Sequence, residues 1–123
     1  MNKECTIIYI DDEEINVKIF EIKMSKKFNV LTGFSGADGL KLLETHDTIK
    51  VVLTDLRMPG MSGIEFITIA SEKYKNLKFF LLTGFEITQE IQQLLDTNSN
   101  TSYFAKPLNM QEIELAINAI IAE

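Results

Sequence analysis

Acidic, hydroxyl and amine side chains stand at the ends of four apolar runs in this sequence. Asp11 and Asp12 directly follow the run TIIYI, and Asp55 ends the run KVVLTD. Thr83 ends LKFFLLT, and Lys106 ends SYFAK. If these runs are parallel strands, their carboxyl ends meet at one edge of a sheet, where the binding sites of open α/β sheets form. The sequence therefore predicts that three carboxylates, a hydroxyl and an amine lie together.

Carboxylates gathered in this way need a cation nearby. Two unit charges about 5 Å apart repel by roughly 3 kcal/mol at an effective dielectric constant near 20, so three acids raise one another's pKa values unless a cation joins them. Mg²⁺ suits a site with few carboxylates, several waters and a phosphate. Lys106 places an ammonium on the other side of Asp55, and Thr83 can donate a hydrogen bond. This chemistry is that of phosphoryl transfer to a carboxylate.

The elements that would position these residues alternate along the chain. Apolar runs typical of buried strands lie at residues 6–10, 29–34, 50–55, 77–83 and 102–106. Patterns with helical spacing lie at residues 36–46, 62–74, 87–97 and 109–123. Strands that alternate with helices predict parallel βαβ units with right-handed crossovers. The predicted fold is a three-layer α/β sandwich.

The segment EEINVKIFEIKMSKKF, after the first strand, fits two structures. Phe20, Ile22 and Met24 alternate with charged residues, as in a strand. Ile15, Ile19 and Ile22 share one face of a helix. We predict a helix, because no turn signal interrupts a segment of this length.

Composition limits the possible classes of protein. The 123 residues carry a net charge of −6, and both values favour one acidic domain that does not bind nucleic acid directly. No apolar run is long enough to cross a membrane, and the N-terminus lacks the pattern of a signal peptide, so we expect a cytoplasmic protein. Cys5 is the single cysteine, which excludes an internal disulfide and predicts a buried core residue.

Four motifs resemble one family when they are taken together. They are IDDE after the first strand, TDLRMPGMSGIEF after the third, LLTGF at the fourth and YFAKP at the fifth. The chain resembles the receiver domains of two-component response regulators, a family that includes the bacterial chemotaxis response regulator. The resemblance covers nearly all of residues 1–123, which we expect to form one receiver domain. It implies a flavodoxin-like (β/α)5 fold with a five-stranded parallel sheet in the order 2-1-3-4-5.

The resemblance also implies roles for the strand-end residues. Asp55 would accept a phosphoryl group from the phosphohistidine of a sensor histidine kinase or a histidine phosphotransfer protein. Mg²⁺ would be held by Asp12 directly, by Asp11 mainly through water, by Asp55, and by the main-chain carbonyl of Arg57. The chain would be a signalling protein that catalyses its own phosphorylation and dephosphorylation, and not a metabolic enzyme.

Further residues match the family's switching machinery. Thr83 and Lys106 would hold phosphoryl oxygens, and Tyr103 would turn inward when Thr83 moves toward the phosphate. The Lys106–Pro107 peptide bond would be cis. Output would pass through the face formed by the fourth helix, the fifth strand and the fifth helix, and the chain would be a monomer or a weak phosphorylation-dependent dimer. The polar stretch DTNSNTS borders that face and predicts an unusual output partner or a short, mobile fourth helix.

The loop after Asp55 is expected to shape the site. Pro59 and Gly60 would turn the chain so that the Arg57 carbonyl faces the metal, and Gly63 would permit a tight approach into the third helix.

Access to the phosphoryl group would depend on three more residues. Arg57 and Phe85 lie two residues after Asp55 and Thr83, and their large side chains would shield an acyl phosphate from water. Gly84 would leave the site open to the kinase histidine.

Other interpretations fit the sequence less well. A pseudo-receiver, which keeps the fold as a phosphorylation-independent interaction module, would be expected to lack an acid, the lysine or the threonine. No P-loop motif occurs. The stretch DDEEIN resembles the start of a calcium-binding EF-hand loop, but Asn16 stands where its glycine belongs. A haloacid-dehalogenase-type phosphatase needs a second acid at the position of Arg57.

Overall fold

The computed structural model of the chain describes residues 5–84 and 86–122. Its strands are β1 (Thr6–Ile10), β2 (Asn29–Gly33), β3 (Ile49–Asp55), β4 (Lys78–Thr83) and β5 (Thr101–Ala105). Its helices are α1 (Glu14–Met24), α2 (Gly36–Thr45), α3 (Gly63–Lys73), α4 (Gln89–Thr97) and α5 (Met110–Ile121). The strand boundaries differ from the predicted ones by no more than one residue. Within the described residues, no helix combines the length and the hydropathy that a bilayer crossing requires.

The five strands form one parallel sheet in the order β2-β1-β3-β4-β5. This is the flavodoxin-like order that the family resemblance implies. The register aligns the carboxyl ends of neighbouring strands: Ile10 pairs with Thr54, Asp55 pairs with Leu82, and Thr83 pairs with Ala105. Residues that follow these strand ends are therefore brought to a single edge of the sheet.

Alternating strand residues build a hydrophobic core on each face of the sheet. Val52 and Leu81 lie in one core, which includes Phe66 of α3. Leu53 and Leu82 lie in the other, which includes Phe20 of α1 and residues of α5. The central strands are buried on both faces, as continuous apolar runs predict for a parallel sheet.

Helix α1 confirms the helical interpretation of the ambiguous segment, but its buried face is not the isoleucine face. Val17, Phe20 and Met24 are buried at helical spacing. Ile15 and Ile22 remain 70% and 63% exposed. Phe20 and Met24, which alternate with charges like strand residues, point into the core because they lie four residues apart on one helix face.

Helix α3 begins at a tightly constrained turn. The Ser62 hydroxyl accepts a hydrogen bond from the Glu65 amide at 3.1 Å, and the Ser62 amide donates to the Glu65 carboxylate at 2.9 Å. This reciprocal capping box satisfies amides that would otherwise lack partners. Gly60 has a φ of +81°, a conformation that favours glycine. The Gly63 amide donates to the Leu56 carbonyl at 2.8 Å, which draws α3 toward the end of β3.

Gly63 is required by a close backbone approach at this turn. A Cβ atom at position 63 would overlap the carbonyl oxygen of Asp55 and would lie 2.9 Å from Cδ1 of Leu81. The family resemblance implies this tight approach, and the structure identifies the Asp55 backbone as the group approached.

We expect Gly63→Ala to lower the free energy of unfolding by about 3 kcal/mol, because the overlap forces the backbone of Asp55 to move. Urea unfolding measures this change. Gly84→Ala is the matched control, since its Cβ would lie 3.9 Å from the Lys106 side chain, an ordinary contact distance. If both variants lose the same small amount, the close approach does not constrain the turn.

Candidate functional site

Three carboxylates lie together at the carboxyl edge of the sheet, as the sequence predicts. Carboxylate oxygens of Asp11, Asp12 and Asp55 all lie within 4.8 Å of one another. Asp11 is completely buried and Asp55 is 8% exposed, whereas Asp12 is exposed. The cluster therefore has a buried side formed by Asp11, which follows β1, and Asp55, which ends β3. Asp12 forms its open side.

Asp11 is held by three hydrogen-bond donors. The Tyr9 hydroxyl donates to Oδ2 of Asp11 at 3.1 Å, and Nδ2 of Asn16 donates to the same oxygen at 3.2 Å. The Glu13 amide donates to Oδ1 of Asp11 at 3.0 Å. The Asn16 amide group also donates to Oε1 of Glu13 at 2.8 Å.

Neither Tyr9 nor Asn16 is among the residues predicted from the sequence to belong to the site. Tyr9 lies inside an apolar run, where an aromatic residue indicates core packing. The available signal was its position two residues before Asp11, which places both side chains on the same side of an extended chain. Burial contributes most to the raised pKa of Tyr9, and the negative charge of Asp11 and the hydrogen bond to it raise this pKa further. The hydroxyl therefore stays protonated and can act as a donor.

Lys106 forms an ion pair with Asp55. Its Nζ lies 2.7 Å from Oδ1 of Asp55, and both side chains are mostly buried. Burial raises the pKa of Asp55, the hydrogen bond from Lys106 opposes this change, and the charge of Asp11 adds to it. Burial alone would lower the pKa of Lys106, but the hydrogen bond to Asp55 and the surrounding acids raise it on balance. The ammonium therefore remains charged beside a carboxylate whose ionised form is disfavoured by burial.

The end of β5 fixes the position of Lys106. The Lys106 amide donates to the Thr83 carbonyl at 2.8 Å, which continues the pairing of β4 with β5. The Lys106–Pro107 peptide bond is cis, as the family resemblance implies. Thr83 is 1% exposed at the same edge of the sheet.

The remaining residues predicted for the site lie nearer the surface. Tyr103, in β5, is 43% exposed. Arg57 and Gly84 are exposed. Phe85, which was expected to limit access to the site, lies outside the described residues.

The cluster fits a hard divalent cation. All of its side-chain ligand atoms are carboxylate oxygens, the type of ligand that Mg²⁺ and Ca²⁺ prefer. Mg²⁺ keeps several waters and binds through one or two carboxylates together with phosphate oxygens. The open side at Asp12 leaves room for such a shell.

Comparison with known proteins identifies the family. Residues 7–118 match the family model for the response regulator receiver domain. The chain belongs to this family. It is a receiver domain, the phosphoacceptor module of two-component signalling.

Similar receiver domains occur in proteins of different size. The chain is 27% identical to the hydrogenase transcriptional regulatory protein HoxA of Cupriavidus necator, over 86% of this chain but only 22% of that protein. It is 29% identical to sporulation initiation phosphotransferase F of Bacillus subtilis, over 95% of this chain and 92% of that protein. A crystal structure of a receiver domain protein from Clostridium thermocellum is 26% identical, with a TM-score of 0.84 over 96% of this chain and 94% of that one.

Burial of Asp55 predicts how stability depends on pH. Its pKa is raised above the ordinary value of 3.8, so the folded chain holds the Asp55 proton more tightly than the unfolded chain does. The contribution of Asp55 to stability therefore falls as pH rises above that value. Lys106 stays charged throughout this range, because its pKa is raised from 10.5.

We expect the stability of Asp55→Asn relative to the wild type to increase from about pH 4.5 to about pH 7 without metal, because asparagine does not titrate. Urea unfolding at several pH values measures the difference. Asp47→Asn, at an exposed loop position, is the control for losing a carboxylate. A difference that is constant or that decreases with pH would contradict the effect of burial.

Proposed function

We propose that Asp55 is the phosphoacceptor of this receiver domain and takes a phosphoryl group from the phosphohistidine of a sensor histidine kinase or a histidine phosphotransfer protein. The observation that carries the proposal is the position of the Asp55 carboxylate. One of its oxygens lies 2.7 Å from Nζ of Lys106, and an oxygen of the carboxylate lies within 4.8 Å of carboxylate oxygens of Asp11 and Asp12. A role as nucleophile is supported by this position, because an ammonium and oxygen ligands suited to a metal ion both lie close to the carboxylate.

The transfer reaction needs little covalent chemistry from the protein. An oxygen of Asp55 forms a bond to phosphorus while the bond between phosphorus and the donor's histidine nitrogen breaks. Catalysis then depends on position and on stabilising the charge of the three transferred oxygens. Lys106 is proposed to hold one of these oxygens, and the Thr83 hydroxyl is proposed to hold another after phosphorylation. Since these groups belong to the receiver, it would also catalyse its own phosphorylation by small acyl phosphates and its own dephosphorylation.

Mg²⁺ is the proposed cofactor. Asp12, which is exposed, would bind it directly, and buried Asp11 would bind it mainly through water. Asp55 and the main-chain carbonyl of Arg57 complete the proposed protein ligands. When bound, the ion would neutralise charge on the phosphoryl oxygens.

Phosphorylation is proposed to shift an equilibrium between two conformations. Thr83 is 1% exposed, and Tyr103 is 43% exposed on the neighbouring strand β5. Movement of Thr83 toward the phosphoryl group would open space for Tyr103 to turn inward. The face formed by α4, β5 and α5 would then present a different surface to the output protein or domain.

The proposed partners are defined by the chemistry and the surface that they would recognise. The donor is a protein phosphohistidine, and the output partner recognises the α4, β5 and α5 face. Several receivers similar to this chain make up a small part of a longer protein, and another spans nearly the whole of its protein. Because phosphohistidine on kinases is made from ATP, we propose a cytoplasmic location.

Intact-mass measurement after incubation with acetyl phosphate and Mg²⁺ tests the assignment of Asp55. We expect the wild type to gain one phosphoryl group of about 80 Da, because the carboxylate is positioned as a nucleophile. The gain should disappear in Asp55→Ala and in the absence of Mg²⁺. Asp47→Ala, which removes an exposed carboxylate elsewhere, should be phosphorylated like the wild type.

Two results would contradict this assignment. Phosphorylation that persists in Asp55→Ala would place the acceptor at another residue. A folded wild type that takes up no phosphoryl group would favour the pseudo-receiver, an interaction module that works without phosphorylation.

Arg57 is proposed to protect the acyl phosphate from water. The sequence predicts this role for Arg57 and Phe85 together. Its exposed side chain follows Asp55 by two residues. We expect Arg57→Ala to shorten the lifetime of the phosphorylated form several-fold, because water would reach the phosphorus more easily. Loss of the added mass with time measures the lifetime, and Lys75→Ala controls for removing an exposed cation. An unchanged lifetime in Arg57→Ala would show that Arg57 does not protect the acyl phosphate from water.

A further inference from the structure

We propose that Tyr9 is a positioning residue of the metal site, whose buried hydroxyl acts together with the side-chain amide of Asn16 to fix the orientation of the Asp11 carboxylate. This inference rests on the Mg²⁺ site proposed above. It gives a function to two residues that lie outside the group of acids, lysine and threonine at the strand ends.

The ring of Tyr9 is held rigidly in the core. Tyr9 is 2% exposed in β1, which lies between β2 and β3 in the sheet. Its ring stacks on Phe20 of α1, with a centroid distance of 4.0 Å and an interplanar angle of 13°. A ring packed in this way cannot swing aside, so the hydroxyl is kept at a fixed point, 3.1 Å from Oδ2 of Asp11.

The hydrogen bonds leave Asp11 with little spare capacity. An ionised carboxylate offers about four acceptor positions, and Tyr9, Asn16 and the Glu13 amide occupy three of them. Oδ2 accepts two of these hydrogen bonds and Oδ1 only one, so the remaining position is on Oδ1. Asp11 belongs to the cluster of three acids, and we infer that this position serves a ligand bound there. One acceptor position suits a single hydrogen bond from a metal-bound water.

Removing the hydroxyl would loosen this arrangement. Oδ2 of Asp11 would keep only the Asn16 donor, and the carboxylate could rotate away from the orientation that a metal-bound water needs. Groups that orient the ligands of a metal typically change its affinity 10- to 100-fold when they are removed. We expect Tyr9→Phe to weaken Mg²⁺ binding roughly tenfold, since phenylalanine keeps the stacked ring and loses only the hydroxyl.

Titration of ¹⁵N-labelled protein with Mg²⁺, followed by NMR at the Glu13 and Leu56 amides, measures this affinity directly. The rate of phosphorylation by acetyl phosphate is then measured against Mg²⁺ concentration. A positioning role raises the Mg²⁺ concentration for half-maximal rate and leaves the rate at saturating Mg²⁺ close to that of the wild type. Tyr74→Phe, at the opposite end of α3 from Asp55, is the matched control and should behave like the wild type.

Each outcome decides the question. An unchanged Mg²⁺ dissociation constant in folded Tyr9→Phe would overturn the inference, as would a lower saturating rate with unchanged half-saturation. A wild type that shows no Mg²⁺-dependent shift would overturn the metal site and this inference with it. A wild type that binds Mg²⁺ but takes no phosphoryl group would contradict only the proposed function.

If Tyr9→Phe does not fold, Asn16→Ala on the partly exposed side of α1 gives the same test. Weaker Mg²⁺ binding supports the inference, and unchanged binding overturns it.

Discussion

Negative charge is concentrated at one edge of the sheet, and the surrounding residues must offset its cost for the chain to fold. Burial of like charges opposes folding, and each carboxylate needs compensation. Lys106 compensates Asp55 by an ion pair of 2.7 Å. Tyr9 and Asn16, with a backbone amide, compensate Asp11 by hydrogen bonds. The pKa of Asp55 is still raised by burial, so compensation by the protein alone is incomplete, and a bound cation can complete it.

The two cores keep this charged edge in place. Strands buried on both faces cannot slip by one residue without turning their core residues toward the opposite face. The pairing of Asp55 with Leu82 and of Thr83 with Ala105 is therefore fixed by apolar packing in the two cores. Gly63 adds a local constraint, because only a residue without Cβ allows α3 to start against the Asp55 backbone.

Much of this arrangement could be predicted from the sequence because polar residues interrupt strongly apolar runs. Asp11 and Asp55 follow or end such runs, and parallel topology then brings them together. The role of Tyr9 could not be predicted in the same way, since a tyrosine in an apolar strand is ordinarily a core residue. Only the hydrogen bond that its hydroxyl donates to Asp11 shows that Tyr9 belongs to the site. The buried face of α1 was also missed, because Ile15 and Ile22 are apolar yet exposed, and apolarity alone does not show which face meets the sheet.

The same features that oppose folding make the site able to respond to a ligand. A ligand shifts a conformational equilibrium only by the difference in its interaction with the two states. Burial already disfavours the ionised Asp55 carboxylate, so new charge compensation beside it would stabilise it strongly. The size of this stabilisation would depend on the positions of Lys106 and Thr83. Thr83 is buried beside strand β5, which carries the half-exposed Tyr103. In the proposed switch, a change in the position of Thr83 would alter the space available to the Tyr103 side chain. The proposed switch would in this way connect the charge at the edge of the sheet, through the buried hydroxyl of Thr83, to the face of α4, β5 and α5.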